Sequence, residues 1–549
     1  MRWRSGPFHE FLLWLVVFVS TFLLLHETIP FSRPHEVDVD EGINLMKSLL
    51  YRRGHALYQE IWSDQPPFFT AVLRWWFHFT AESVAAGRLL VMLFSAWLSA
   101  SLFHILYRSR GWLAGISGVT FLLLSSLYVK YSGAVMIGIP ALSLAMFAVH
   151  LIVLQEKSEL KRILFYLSSV VFAAAMLTKL SVLILIPSIV AALCVGEKNW
   201  LKRLVLWGVA TTGSLILLTL LIAPSLPHHL LQLADSHINE FGRSLIGGTG
   251  LLAKFIKPDR DLLFLGALGI VLGIVVCRFD FLFPFIWLVS GICALSVHRP
   301  LWPHHYPVLG IPLAWLAALG VDNIFRRSTA TSCPFTKATN KKISATSSAK
   351  FWHRAPEQQS NRGGNLISLV LWCSVALLLK IPGLGPVKGY ATSFRIRPKL
   401  EFTIRILMIG LLVWSVFRLP IKDARMRKRV QKVDERLNQA AIAQLRNYQA
   451  VTRWVVSDRP IYPFMAQLPV PPEIAVASSK RRHAGELPDS LFLEVIDRYQ
   501  PEQIIFERFK GLGATILAHA EDRYATIHYD GRTLIMLRRD LMKPTTAQP

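Results

Sequence analysis

The stretch VDVDEGINLMKSLLYRRGHALYQEIWSDQPPFF, residues 37–69, follows the first long apolar run of the chain and precedes all the others. Near its start lie Asp38, Asp40 and Glu41, three carboxylates in a sequence that is otherwise basic. The apolar side chains that follow recur at helical spacing, and Gly54 is typical of a helix end. Carboxylates in a first turn stabilise a helix through its dipole. We therefore expect an amphipathic helix that lies in the membrane interface, with its acidic end in water.

The composition is that of a membrane protein. Of the 549 residues, 53% are hydrophobic and 17% are charged, and the mean hydropathy is +0.41. Soluble domains carry about a quarter of charged residues, whereas repeated apolar runs of about 18 residues predict transmembrane helices. The net charge of +25 comes from Lys and Arg that collect between these runs, as the positive-inside rule requires. This distribution argues against a nucleic-acid partner, and the five cysteines form no CxxC pair that would indicate a zinc site.

About twelve spans are predicted from the apolar runs. Arg2 and Arg4 place the N-terminus inside, so the segment 31–82 and the turn His298–Pro307 are expected to face outside. A second interfacial helix is predicted at Phe68–Phe79. The predicted spans are Phe11–Ile29, Arg88–Tyr107, Trp112–Tyr128, Ala134–Leu154, Ile163–Leu177, Val182–Val195, Leu204–Ala223, Leu262–Val276, Phe281–Val297, Val308–Phe325, Leu366–Ile381 and Phe402–Phe417.

Composition divides the chain into four parts. Residues 1–325 hold the first ten predicted spans, and residues 326–364 are predicted to form a basic, disordered linker. Residues 365–420 hold two further spans, and residues 421–549 are expected to form an amphipathic helix and a small α/β domain. Counting twelve spans, together with the basic run at Arg425, places this last domain on the inside.

The C-terminal domain is predicted from alternating patterns in short segments. Helices are expected at Leu487–Tyr499 and Leu512–Glu521, and a hairpin turn at Asp530-Gly531. Strands are predicted at WVVSD, EIAVASS, EQIIFER, YATIHYD and TLIMLRR.

Four polar features are expected to meet at the outer face. Carboxylates beside cationic and imidazole groups, over an interfacial platform, suit a reaction between a polar acceptor and a lipid-borne phosphate. Each also has a plain structural alternative: a helix start, a helix cap, a lysine at a helix end that reaches for the interface, or residues of an aromatic belt. The features are the Asp40-Glu41 pair, Asp64 ahead of Pro66-Pro67, Lys179 in an apolar stretch, and the turn His304-His305-Tyr306.

The order of these elements resembles the GT-C membrane glycosyltransferases, in particular the protein O-mannosyltransferases and the bacterial lipid A aminoarabinose transferases. The similarity covers roughly residues 8–325. It implies a polytopic α-helical membrane protein of GT-C-like fold, with interfacial helices in the first outer loop and a small C-terminal α/β domain. In many bacterial members this last domain faces outside, in conflict with the count of charges.

The resemblance also implies chemistry. In the family a sugar is carried on a polyprenyl or dolichyl phosphate, and no organic cofactor is expected. Asp40 matches the acidic residue proposed as catalytic base, with Glu41 beside it, and these two are the candidate ligands if a divalent cation, Mg or Mn, is bound. Asp64, Lys179 and the turn His304-His305-Tyr306 match substrate-binding positions, Lys179 near the lipid phosphate.

Two features depart from the family pattern. The outer loop YVKYSGAVMIGIP contains Lys130 and lacks a second carboxylate. Gln65 stands where the aminoarabinose subgroup has a lysine before its two prolines. The second difference argues against that subgroup's substrate.

The function expected from the resemblance is transfer of a sugar from a polyprenyl-phosphate donor to a glycan, lipid or protein acceptor. The expected place is the plasma (inner) membrane, with several spans and an extracytoplasmic active face, among membrane lipids. The alternative is a polytopic lipid or oligosaccharide transporter or flippase without transferase activity. A transporter predicts internal repeats and helices broken at mid-membrane depth, and no clear repeat is evident.

Overall fold

The structure is a computed structural model. It describes most of the chain up to residue 325 and nearly all of the C-terminal domain. The described residues are 7–32, 35–155, 160–194, 199–229, 249–275, 279–325, 437–509 and 511–542, with scattered positions between 402 and 424. The predicted span Leu366–Ile381, the linker 326–364 and the basic run at Arg425 lie outside the described residues.

The N-terminal part is a bundle of helices, because its long apolar runs can satisfy their backbone hydrogen bonds in lipid only as helices. A 3₁₀ segment, Leu180–Leu185, links α8 to α9. The helices are α1 Pro7–Thr28, α2 Val39–Arg52, α3 Phe68–Trp76, α4 Val84–Arg110, α5 Trp112–Leu123, α6 Ser126–Ser132, α7 Gly138–Gln155, α8 Lys161–Thr178, α9 Ile186–Cys194, α10 Trp200–Ile222, α11 Thr249–Ile256, α12 Arg260–Val275, α13 Leu282–Val297 and α14 Pro307–Phe325.

Six of the described helices are long and apolar enough to cross a membrane, or seven if the bent pair α5 and α6 counts as one span. The sequence predicted this pair as the single span Trp112–Tyr128, but the two helices meet at an angle of 78°. The first helix ends at Leu123, and Ser125 caps the second, since its hydroxyl accepts a hydrogen bond from the Tyr128 amide at 3.4 Å. The break sets Lys130 and Tyr131 on the wall of a cavity.

The bundle has a buried centre and a lipid-facing rim. The helices α4, α7 and α14 are buried over most of their length, whereas α1 and α10 leave most of their apolar side chains exposed. Outward-facing apolar helices are what a bilayer, rather than water, would stabilise. The polytopic helical fold predicted from the sequence is therefore confirmed.

The helix α2 is buried by protein over most of its length. All ten residues from Glu41 to Leu50 are buried. Its apolar side chains join the bundle core, while its other face packs against the C-terminal domain. At Gly42 a methyl group would stand 2.7 Å from the Ile461 amide nitrogen, so only glycine permits this approach. The amphipathic pattern was read correctly, but its polar face is covered by protein.

The C-terminal domain is a sheet with helices on it. The sheet has four strands in the order β1-β2-β4-β3, with β1 and β2 parallel and the other pairs antiparallel. The strands are β1 Val455–Ser457, β2 Gln503–Phe506, β3 Tyr524–Tyr529 and β4 Leu534–Arg538, and the helices are α15 Gln439–Asn447, α16 Ile461–Met465, α17 Ser479–His483, α18 Asp489–Tyr499 and α19 Leu512–Ala520.

Four of the five predicted strands are present, and the hairpin at Asp530 is confirmed. Its carboxylate accepts hydrogen bonds from the Arg532 and Thr533 amides at 2.9 and 2.7 Å, which holds the turn between β3 and β4. The strand predicted at EIAVASS, residues 473–479, is absent from the described structure. Pro471 and Pro472 precede it, and proline has no amide to give to a sheet; a 3₁₀ turn, Pro472–Ile474, forms instead.

The C-terminal domain lies on the same side as the first loop. Arg459 Nη2 is 2.7 Å from Glu36 Oε2, and Lys480 Nζ is 2.7 Å from Asp64 Oδ2. Both carboxylates belong to the loop expected outside, so this loop and the domain cannot lie on opposite sides, as the count of charges had placed them. The count relied on spans and a basic run that fall outside the described residues.

Candidate active site

Glu41 anchors the start of α2 to the helix bundle. Its Oε1 accepts hydrogen bonds from Arg88 Nε at 2.8 Å and the Val135 amide at 3.1 Å. Its Oε2 accepts from Arg88 Nη2 at 2.8 Å and the Val37 amide at 3.1 Å. Both charged side chains are fully buried. Because groups of the protein already donate hydrogen bonds to both oxygens of this carboxylate, the geometry favours a structural role for Glu41. Its catalytic role stays a prediction.

Asp38, Asp40 and His304 form a second group of polar side chains. Asp38 is the N-cap of α2, accepting a hydrogen bond from the Asp40 amide at 3.3 Å. The ligand atoms of the three side chains lie within 4.8 Å of one another. His304 Nδ1 is 3.8 Å from Asp38 Oδ2, and among the described residues this buried nitrogen has no hydrogen-bond partner. The sequence paired Asp40 with Glu41 as possible metal ligands, whereas the structure groups Asp40 with Asp38 and His304.

The two aspartates of this group have different environments. Desolvation raises the pKa of Asp40, and the charge of Asp38 raises it further, against the lowering effect of His304 and Lys179. Desolvation also acts on Asp38, but the neighbouring His304 imidazole and the Asp40 amide outweigh it, so its pKa lies below the ordinary value. Two carboxylates whose pKa values are pushed apart are a common arrangement for different roles at one site.

A cavity of about 860 Å³ opens beside this group. Its walls come from the start of α2, the loop 64–66, the segment between α6 and α7, the break after α8, the turn 298–305 and the C-terminal domain. Of the residues predicted as site residues, five line the cavity: Asp40, Asp64, Lys179, His304 and His305. Glu41 and Tyr306 are not part of its lining.

Cations surround the acidic group inside the cavity. Lys179 lies at the break between α8 and the 3₁₀ segment, with extended backbone angles, and it interacts electrostatically with both Asp38 and Asp40. Lys130, noted in the sequence only as a departure from the family, acts on Asp38 from α6. Lys47 lines the cavity from α2. Several ammonium groups around one space suit a ligand with a phosphate.

The turn 298–305 contributes two of the three predicted residues. His304 and His305 pack with their rings 4.5 Å apart, and His305 Nδ1 accepts a hydrogen bond from the Trp302 amide at 3.2 Å. Tyr306 is buried in the bundle, where its ring would meet a methyl group placed on Gly310 at 3.2 Å. The structure therefore brings the two histidines to the cavity and turns the tyrosine away from it.

One wall of the cavity is apolar. It includes Leu180 and Ile184 of the 3₁₀ segment, Ala294 and Leu295 of α13, and Val308 of α14. Leu180 is also 46% exposed. A ligand with an apolar chain could therefore lie along this wall while its polar end meets the cations.

Sequence reasoning missed the residues that the C-terminal domain supplies. Arg459, Lys480 and Arg508 line the cavity, and Lys480 pairs with Asp64. The segment SSKRRH carries a visible run of basic residues, but its placement inside removed it from consideration. Lys47 occupies a polar position of an amphipathic helix, and nothing in the local pattern marks it as a cavity residue.

The sequence matches no known family model and no curated protein. Similar solved structures do exist. ArnT from Cupriavidus metallidurans bound to undecaprenyl phosphate has a TM-score of 0.56 at 15% identity, and the same protein in the apo state 0.52 at 14%; each alignment covers 95% of this chain and 97% of that chain. The oligosaccharyltransferase AglB from Archaeoglobus fulgidus, in complex with an inhibitory peptide and a dolichol-phosphate, has 0.49 at 11%, covering 98% and 76%. The chain has the GT-C fold of ArnT, as the resemblance implied.

Proposed function

We propose that the protein is a membrane glycosyltransferase that moves a sugar from a polyprenyl-phosphate donor to a glycan, lipid or protein acceptor. The observation that carries this proposal is the cavity in which Asp38 and Asp40 face Lys179 and Lys130 beside an apolar wall. A lipid-linked sugar phosphate has the three matching parts: an apolar chain, a phosphate and a hydroxyl-rich head. That ArnT has been solved with undecaprenyl phosphate bound supports such a donor.

Asp40 is the proposed catalytic base. It takes the proton of an acceptor hydroxyl while the oxygen attacks the anomeric carbon of the donor sugar. The bond between that carbon and the phosphate oxygen breaks, and the polyprenyl phosphate leaves with the bonding electron pair. A base is most effective when its pKa lies closer to the working pH than that of a free carboxylate, and desolvation raises the pKa of Asp40 in that direction.

Lys179 is proposed to stabilise the leaving phosphate. Its position at the break after α8 puts an ammonium group where the apolar wall begins at Leu180. A cation placed where negative charge develops lowers the barrier, since the charge is stronger on the leaving phosphate than in the bound donor. His304 and His305 face the same space and are proposed to contact the donor.

A divalent cation fits the acidic group. Asp38, Asp40 and His304 would hold it, and the buried Nδ1 of His304, which has no hydrogen-bond partner among the described residues, is consistent with an imidazole ligand. Carboxylates suit Mg²⁺ and Mn²⁺, and an added imidazole favours Mn²⁺. When bound, the cation would offset the negative charge of the two carboxylates.

The active face is proposed to be extracytoplasmic, at the plasma membrane. The cavity lies between the bundle and the C-terminal domain, on the side of the loop that follows α1. The basic residues between alternate spans favour the opposite side as the cytoplasmic one.

The test is release of polyprenyl phosphate from radiolabelled polyprenyl-phosphate sugars by the purified full-length protein, with membrane extracts as acceptor source. Asp40→Asn should lower the rate by about a hundredfold or more, the usual contribution of a general base. Asp522→Asn, an exposed position of the C-terminal domain, is the matched control and should leave the rate unchanged.

Two results would count against the proposal. Retention of more than about a tenth of the wild-type rate by Asp40→Asn excludes a hundredfold contribution of the base. Movement of the lipid-linked sugar across vesicle membranes without cleavage of its phosphate bond would favour the transporter instead.

A further inference from the structure

Lys47 is a buried cation that the proposed mechanism does not use. It lies on α2 seven residues after Asp40, which is about two helical turns and therefore nearly the same face. It lines the cavity, yet its side chain is only 1% exposed. A buried ammonium is costly unless hydrogen bonds and opposite charge compensate for the water it has lost.

The protein compensates Lys47 poorly. Among the described residues its Nζ donates one hydrogen bond, to the neutral Ser63 hydroxyl at the long distance of 3.4 Å. An ammonium has three hydrogens to donate. The charges of Asp64 and Asp40 act on it from a distance, but Asp64 Oδ2 already accepts a hydrogen bond from Lys480 at 2.7 Å. Desolvation accordingly lowers the pKa of Lys47, with the two aspartates opposing it.

The position of Lys47 relative to the other groups indicates which part of a ligand meets it. The proposed base, Asp40, and the phosphate-binding Lys179 mark the reacting anomeric carbon and its leaving group. Lys47 interacts electrostatically with Asp40 on one side and Asp64 on the other. A sugar whose anomeric carbon lies at Asp40 would occupy the space between these aspartates, in front of Lys47.

Resting on the proposed function, we propose that Lys47 selects the transferred sugar by its charge. Its free N–H groups donate hydrogen bonds to hydroxyl or carboxylate oxygens of the sugar, and its charge repels a protonated amine at the same place. The donor sugar is therefore neutral or acidic and not an amino sugar. Of the charges that flank this space, Asp64 is already paired with Lys480 at 2.7 Å, whereas Lys47 has one long hydrogen bond, so an amine placed beside Lys47 meets the less compensated charge.

The experiment compares three lipid probes that differ only in the sugar: polyprenyl phosphates that carry a neutral hexose, a hexuronic acid and an amino pentose. Their binding to the full-length protein in detergent is measured by displacement of a fluorescent polyprenyl phosphate. The wild type should bind the amino-sugar lipid at least about tenfold more weakly than the neutral one, as expected for juxtaposed like charges. Equal binding of the two would overturn the inference.

Two variants assign the selection to Lys47. Lys47→Met keeps the length of the side chain and removes its charge, and should bring the two dissociation constants within about twofold of each other. Lys47→Gln keeps a hydrogen-bond donor, and should bind the neutral sugar while also admitting the amino sugar. Lys254→Met, which removes an exposed lysine of α11, should retain the wild-type ratio. An unchanged ratio in a folded Lys47 variant would refute the assignment.

The binding ratio separates this inference from the proposed function. If the wild type binds the lipids but cleaves none of them, the transferase proposal fails, and the ratio still decides the role of Lys47. If it cleaves neutral and amino-sugar donors equally well and binds them equally, the transferase proposal stands and the inference on Lys47 falls.

Discussion

The two ends of helix α4 both lie beside buried charges, but they compensate them differently. At its C-terminal end, Arg110 donates through two nitrogens to Asp280, donates to Asn323 Oδ1 at 3.3 Å, and lies 3.7 Å from Asp322. Near its N-terminal end is the cavity, where Lys47 has a single hydrogen bond of 3.4 Å. The helix of 27 residues separates the two regions by about 40 Å.

The comparison separates charges that hold the fold from charges that serve a ligand. Arg110 joins three segments of the bundle, and so does the Glu41–Arg88 pair at the start of α2. The charges of such pairs are compensated within the protein, and removing one partner leaves the other buried without a counter-charge, which lowers stability. Lys47 donates one long hydrogen bond among the described residues, so the rest of its compensation is expected from a substrate.

The largest expected effect concerns the side of the membrane on which each end of α4 lies. Cysteine labelling gives an all-or-none result for this question. In a cysteine-free background, Gln59→Cys and Asp522→Cys should react with an impermeant thiol reagent from the same side of sealed vesicles, because both positions are exposed on the cavity side. Lys161→Cys, in a basic cluster at the start of α8, should react only from the other side. Labelling of Gln59→Cys and Asp522→Cys from opposite sides would contradict the contact between the domain and the first loop.

Glu41→Gln should cause the largest loss of stability. It leaves the fully buried Arg88 without a counter-charge, and breaking a buried ion pair in this way costs about 3–5 kcal/mol. The measurement is thermal unfolding in detergent, with the exposed Glu494→Gln as control. If Glu41→Gln melted like the wild type but lost transfer, Glu41 would be catalytic, as the sequence suggested, and not an anchor.

Arg110→Met tests the other end of the comparison. It leaves Asp280 and Asp322 without their cation, and we expect a loss of about 1–3 kcal/mol in stability, less than for Glu41 because Asp280 is partly exposed. The affinity for the lipid donor should not change, since the site is distant. A folded variant with altered donor affinity would show that the two regions are coupled.

Lys179→Ala should have the smallest effect on stability and a clear effect on the donor. Removal of a charged hydrogen-bond donor to a phosphate costs about 1.5–3 kcal/mol, or about ten- to a hundredfold in KM for the lipid donor. The KM for the acceptor should stay the same, and Lys202→Ala, an exposed lysine of α10, serves as the control. An unchanged dependence of the rate on donor concentration would show that Lys179 does not bind the donor and is only a lysine at a helix end that reaches for the membrane interface.

Local patterns were enough for the elements whose cause is local. The acidic first turn with Asp40 and Glu41 and the amphipathic run that follows were predicted because dipole and period act within a few residues. The hairpin at Asp530 was predicted for the same reason. The break between α5 and α6 was missed, because a serine in an apolar run continues a helix as readily as it ends one.

The members of the candidate site could be named only in part. Asp40, Lys179 and His304 were recognised as unusual charges in an apolar chain, but their meeting depends on how distant segments pack. Lys480 was missed because its side of the membrane was deduced from a count of spans. The side assigned to a segment depends on the number of spans before it, so one misjudged span places every later segment on the wrong side.

What the sequence by itself determined is the membrane bundle, the order of its helices, and the acidic helix start that carries Asp40, since hydrophobicity and capping depend on neighbouring residues alone. Only the tertiary structure decided that Glu41 is bound by Arg88, that α2 is covered by the C-terminal domain, and that Lys47 is left with one weak hydrogen bond. The physical reason is that the compensation of a charge depends on atoms far away in sequence. Two adjacent carboxylates, Asp40 and Glu41, look alike in the chain and differ only in what the fold places around them.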